Sequence, residues 1–128
     1  MARPVKKGLA FYYKDVHEWD QIPIMNLLME YGTDGYCVYT LIESKVYENG
    51  YYLEIGMKSL VPYLMRVLGL RDREYVQQII NYCAEEGLFD AALLKQSVIT
   101  SKMIQRHYSD VSARSKADKS RYWLLDES

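Results

Sequence analysis

The side chains best suited to chemistry in this chain lie in and around residues 71 to 106. Read as a helix, residues 73 to 86 turn Tyr75, Val76, Ile79, Ile80 and Cys83 to one side, at i, i+1, i+4, i+5 and i+8. The opposite side then carries Glu74, Gln77, Gln78, Asn81 and Glu85, with Arg71 and Arg73 at the N-terminal end. Glutamine and asparagine amides can pair bidentately with adenine in a major groove, and arginines near a helix start can hold phosphate or guanine. Lys95, Lys102 and Arg106 follow, and suit contacts with a phosphate backbone. Arg71, Arg73, Gln77, Gln78, Asn81, Lys95, Lys102 and Arg106 are therefore the candidate DNA-binding residues. A solvated helix face shows the same residue types, and Glu74, Glu85 and Glu86 would repel phosphate if they faced it.

Other chemistry finds little support. The chain has no Walker loop, no GxGxxG, no GxSxG and no HExxH. His17 lies near Glu18 and Asp20, and His107 lies near Asp110, with no spacing typical of metal ligands. The pair Glu85 and Glu86 falls at the polar end of a helix, where solvated carboxylates are the ordinary finding. The expectation is a protein that is not an enzyme, with no cofactor, no metal and no small-molecule substrate.

A chain of 128 residues suits one domain. With 49% hydrophobic and 26% charged residues it has globular composition. The formal charge of -1 hides an asymmetry. Between Asp15 and Gly56 the only basic residue is Lys45, against Asp15, Glu18, Asp20, Glu30, Asp34, Glu43, Glu48 and Glu54. Between Lys95 and Arg121 the bases dominate. Such a chain can present an anion-binding end and a different partner surface, or two independently solvated faces. Many of the thirteen tyrosines are expected half-buried, with hydroxyls reaching water or backbone. Cys37 and Cys83 lack CxxC spacing and are expected as buried free thiols of a reducing cytosol. No signal-peptide pattern and no run of roughly 18 apolar residues is present, so a cytoplasmic location without membrane contact is expected.

Several elements must position the candidate site. "GLAFYYKD", residues 8 to 15, suits a strand, and "YYLEI", residues 51 to 55, could pair with it. Residues 22 to 32 form a helix that stops at Gly32, and a second, central helix runs from Thr33 or Asp34 to Asn49. A helix from Ser59, with Pro62 in its first turn and Gly69 at its end, leads almost directly into the helix capped by Asp72. Two helices so tightly joined make a helix-turn-helix candidate. After Gly87, "LFD" and "VIT" are minimal strands, with Leu88, Phe89, Val98 and Ile99 as the base of a wing and "AALLKQS" as its tip, with room for one helical turn. Thr100 or Ser101 caps the last helix. From Ser112 the chain has little to bury, and "RYWLL" could dock back on the domain. The expected fold is mainly α, a winged helix-turn-helix with a small antiparallel β-sheet over residues 1–111, followed by a polar, partly ordered extension over residues 112–128.

Four stretches together, "GLAFYYKDVHEW", "EYGTDGYCVYTLIESKVYENGYYLE", "IINYCAEEGLFD" and "VITSKMIQRHY", resemble the N-terminal winged-helix domain of phage-type replisome organiser proteins, which are related to primosomal helicase-loading factors. The resemblance covers about residues 8 to 110. It implies a winged-helix module for DNA binding or self-association in phage or mobile-element replication initiation. The partners it implies are DNA and replication proteins. The alternative is a self-associating protein-interaction module without direct DNA contact.

Overall fold

The computed structural model describes residues 8–111 and 121–125. Its longest element, α1 (Ile22–Asn49), is entered from an extended Gln21, with Pro23 in the first turn where a missing N–H costs no hydrogen bond. The expected stop at Gly32 is a kink inside this element. Gly32 adopts φ 62° and ψ -148°, a conformation that side chains resist, and the helix resumes beyond it. Just past the kink, a Cβ on Gly35 would sit 2.8 Å from the Tyr31 Cβ, so only glycine allows the two turns to approach this closely. Beyond Gly32 the helix buries Gly35, Val38, Tyr39, Ile42, Glu43, Val46 and Tyr47, the central position its sequence predicts.

The helix α2 (Met57–Leu68) begins two residues before Ser59, so Pro62 lies inside it instead of in its first turn. Pro62 is exposed, which keeps its ring out of the core. Four residues later α3 (Arg73–Glu85) starts from Asp72, whose Oδ1 accepts the Tyr75 N–H at 3.3 Å. The buried residues of α3 are Val76, Ile79, Ile80 and Cys83, and it packs on both α1 and α2. Its periodicity therefore identified the correct inward face.

The strands differ from expectation. Residues 8 to 15 join no sheet; they lie along α1 as an extended strap, anchored where the Leu9 N–H donates to Tyr47 O at 2.8 Å. Instead β1 (Leu53–Glu54) pairs antiparallel with β2 (Val98–Ile99), Leu53 opposite Ile99 and Glu54 opposite Val98. Burial explains the choice. Val98 and Ile99 are both enclosed, whereas Phe11 is 77% exposed and brings no second face to cover. Leu88 and Phe89 form no strand, because both side chains are sunk in the core and Phe89 lies 5.6 Å from the Tyr39 ring. Asp90 turns the chain: its N–H donates to Thr100 O at 2.7 Å, and its Oδ2 accepts the Leu93 N–H to cap a helical turn, α4 (Ala91–Leu94). The expected hairpin wing is therefore a helical turn closed by a single backbone bond, and Leu94 packs against the core. The molecule is mainly helical with a small two-stranded antiparallel sheet, a layout compatible with a winged helix-like fold.

The last helix, α5 (Lys102–Val111), starts as expected from Ser101, whose Oγ accepts the Ile104 N–H at 3.1 Å. Residues 121–125 return to the domain, as the bulk of "RYWLL" suggests. The Tyr51 hydroxyl donates to Arg121 O at 2.6 Å, and the Trp123 ring stands edge-on to Tyr51 at 5.0 Å. The polar stretch 112–120 lies outside the described residues.

Candidate nucleic-acid interface

On α3 the residues Arg73, Gln77, Asn81 and Glu85 follow one another at four-residue steps and so share a stripe. Gln77, Asn81 and Glu85 form one wall of a cleft of about 600 Å³, with Met57 from α2 and Ala91, Leu94 and Lys95 opposite. Across Ala84 and Ala91 lies a second recess of about 390 Å³, which holds Lys102 and Arg106 from α5 beside Asp90. The short helix α4 thus stands between two openings. One gathers the amides of Gln77 and Asn81 with Lys95, and the other gathers Lys102 and Arg106.

The remaining candidates are not drawn into either opening. Arg71 and Arg73 are exposed at the start of α3, and Gln78 is exposed one residue round the helix from Gln77. Sequence reasoning missed Met57, and it allowed a helical turn in "AALLKQS" without placing it at the cleft; both shape the opening. The signal available was Asp90 followed by "AALL", a cap and a helical turn.

In chemical terms, the first cleft offers two amides able to donate and accept, one cation and one carboxylate. The second offers two cations and Asp90, whose Oδ2 accepts the α4 cap bond at 3.0 Å. Among the described residues Lys95, Lys102 and Arg106 take part in no ion pair, so their charge is available to an incoming anion.

The acidic half of the chain is less acidic at its surface than its composition suggests. Glu18 and Glu43 are buried, and Lys14, one residue before the counted segment, reaches both: its Nζ lies 2.6 Å from Glu43 Oε1 and 3.1 Å from Glu18 Oε1. Burial alone would lower the Lys14 pKa, but the charge and hydrogen bond of Glu43 outweigh it and hold the ammonium above its ordinary range. Burial, then the Glu43 charge, raises the Tyr39 and Tyr12 hydroxyls in turn. Tyrosine hydroxyls here reach carboxylates as well as backbone: Tyr75 donates to Asp34 at 3.0 Å and Tyr36 to Glu18 at 2.7 Å.

The two cysteines differ. Cys83 is enclosed, and burial pushes its thiol up to about 12, whereas Cys37, expected buried, is exposed on the outer side of α1. His17 is exposed, and the His107 ring stands edge-on to Tyr47 at 5.8 Å. Among the described residues no three His, Cys, Asp or Glu side chains converge as metal ligands would, and no helix is long and apolar enough to cross a membrane.

Comparison with known proteins places the chain in a phage-associated group. A family model described as Lin1244/Lin1753-like, N-terminal, matches residues 11–104. The chain is 27% identical over 131 residues to the uncharacterized phage-related protein Lin1244/Lin1753 of Listeria innocua serovar 6a. That alignment takes in 98% of this chain and 42% of the relative, so the chain spans less than half of the relative's length. No solved structure matches it. With the family model covering most of the strap, the helical core, the cleft and the start of α5, the chain belongs to the Lin1244/Lin1753-like N-terminal family.

Proposed function

We propose that this domain is a non-enzymatic DNA-binding module of a phage or mobile-element replication initiation protein. The observation that carries the reading is the convergence of Gln77, Asn81 and Lys95 in one cleft beside α4, with Lys102 and Arg106 in the adjoining recess. In this reading the outer stripe of α3 meets base edges, Arg71 and Arg73 meet phosphate at its start, and the α5 cations meet the backbone beyond α4. The phage-related name of the relative agrees with a role on phage DNA.

The test is fluorescence anisotropy of a labelled duplex. Binding should weaken steeply between about 50 mM and about 200 mM salt, and changing Lys102 and Arg106 together to alanine should flatten the log–log slope by about 1.8, roughly 0.9 for each phosphate no longer neutralised.

A second reading, self-association, rests on a separate surface. Ile22, Met25 and Met29 follow at helical spacing on the first arm of α1 and are 71%, 46% and 85% exposed, with Trp19 one turn before them at 54%. Apolar side chains so aligned are characteristic of a protein contact. Absence of duplex binding at about 50 mM salt, together with a dimer that Met29→Glu dissolves in sedimentation, would overturn the DNA reading in favour of this one.

A further inference from the structure

Two carboxylates lie under the N-terminal strap, away from bulk water. Glu43 is 6% exposed and Glu18 is 7% exposed. Charges enclosed to this degree require compensation from partners. Tyrosine hydroxyls satisfy the outer oxygens: Tyr36 donates to Glu18 Oε2 at 2.7 Å and Tyr39 to Glu43 Oε2 at 3.0 Å. The Oε1 atoms of both acids turn toward the same point, and Tyr12 of the strap also donates to Glu43 Oε1 at 3.2 Å. The Lys14 ammonium occupies that point, 5.3 Å from the Tyr36 ring centroid and 5.5 Å from that of Tyr39, and donates to the Thr40 hydroxyl as well. Two anions and two π faces converging on one –NH₃⁺ make a receptor for an alkylammonium.

Receptor and occupant belong to parts of the chain with different anchorage. Glu18 is in the 3-10 turn Glu18–Asp20, and Tyr36, Tyr39 and Glu43 are on α1 beyond its kink, all packed against the core. Lys14 arrives on the strap, which joins no sheet and leaves Phe11 and Tyr13 77% and 65% exposed. Leu9 and Tyr12 do pack against the core, but the strap's one backbone bond to α1 is that of Leu9, and segments with few such bonds are among the first to open. A cavity of about 200 Å³ also reaches Glu18 and Glu43 from the side of α5, past Arg106 and His107, so an amine has a route to both acids.

We propose that Glu18, Glu43, Tyr36 and Tyr39 form a binding site for a primary alkylammonium group, occupied in cis by Lys14, which thereby latches the strap over residues 8 to 15 onto the helical core. Once Lys14 is withdrawn or neutralised, the site takes another lysine-type ammonium. None of the four residues of this site is among the candidate DNA contacts, although Arg106 borders both openings, and its test does not involve DNA.

The experiment is chemical rescue in the full chain. Lys14→Ala should lower the thermal midpoint, and n-butylammonium chloride, matching the lost side chain, should raise it again in a saturable manner relative to equal sodium chloride. Wild type, whose site is filled, and the double variant Lys14→Ala with Glu43→Gln should not respond. If Lys14→Ala does not fold by itself, refolding with n-butylammonium, read by circular dichroism, should recover the folded chain where sodium chloride does not. No rescue in either format, or an equal response from wild type and the double variant, overturns the proposal.

Discussion

Replacing Gln105 by leucine should free residues 121–125 from the domain while leaving the volume of the core nearly unchanged. Gln105 is fully buried on α5, and its amide divides its bonds between two parts of the molecule. Its Nε2 donates to Thr100 Oγ1 at 3.1 Å and to Tyr122 O at 2.7 Å, while its Oε1 accepts the Leu124 N–H at 2.6 Å. Thr100 keeps its own bond to Tyr51 O after the change, so the loss falls on the two bonds to the returning segment. A neutral hydrogen bond contributes about 1 kcal/mol net, and a buried group left unpaired costs about 1–3 kcal/mol. The edge-on contact of Trp123 with Tyr51 contributes about 0.5–1.5 kcal/mol more and depends on the same docking. The segment can swing into water and recover its backbone hydrogen bonds there, so the expected loss is about 2–3 kcal/mol and not the sum of all penalties. At roughly 4 °C per kcal/mol for a domain of this size, the thermal midpoint should fall by about 8–12 °C. The assay is denaturant and thermal unfolding, with Trp123 emission followed in a Trp19→Phe background. A red shift of Trp123 should accompany the stability loss. An unshifted emission with a midpoint change below about 2 °C would show that Gln105 does not hold the segment, and would refute the reasoning.

Two further outcomes follow from burial and charge. In the native protein a thiol reagent at neutral pH should modify Cys37 quickly and Cys83 only on unfolding, since the Cys83 thiol is enclosed and raised to about 12; two fast-reacting thiols would contradict the packing of α3. Tyr12, Tyr39 and Tyr47 are all held protonated, by burial first and the Glu43 charge second. Their folded values lie above the unfolded value of about 10, so their contribution is complete below about pH 10 and is lost as pH rises through the folded values. The thermal midpoint should therefore decline above about pH 10, with part of the tyrosinate absorbance appearing only on unfolding. A midpoint unchanged to about pH 11 would count against the buried network.

How much was legible in the chain depends on the distance over which each feature is encoded. Helix α3, its Asp72 cap and its inward face were readable because periodicity and capping are decided within three or four residues. Gly32 was readable as an interruption but not as a kink, because the helix on either side is continued by packing beyond the local turn. The cleft itself was partly visible. Gln77, Asn81 and Lys95 line one cleft, while Gln78 and Arg71 are exposed outside it.

Short-range pattern in the chain was enough to set the order of the helices, the caps at Asp72 and Ser101, and the separation of acidic from basic stretches. Packing of distant segments was needed to choose β2 as the partner of β1. It also brought Lys14, already four residues from Glu18, to Glu43. The physical reason is separation along the chain. Lys14 and Glu43, or Leu53 and Ile99, carry no mutual mark in a local pattern. Enclosure of the two acids creates the demand for a cation, and only the folded strap delivers one.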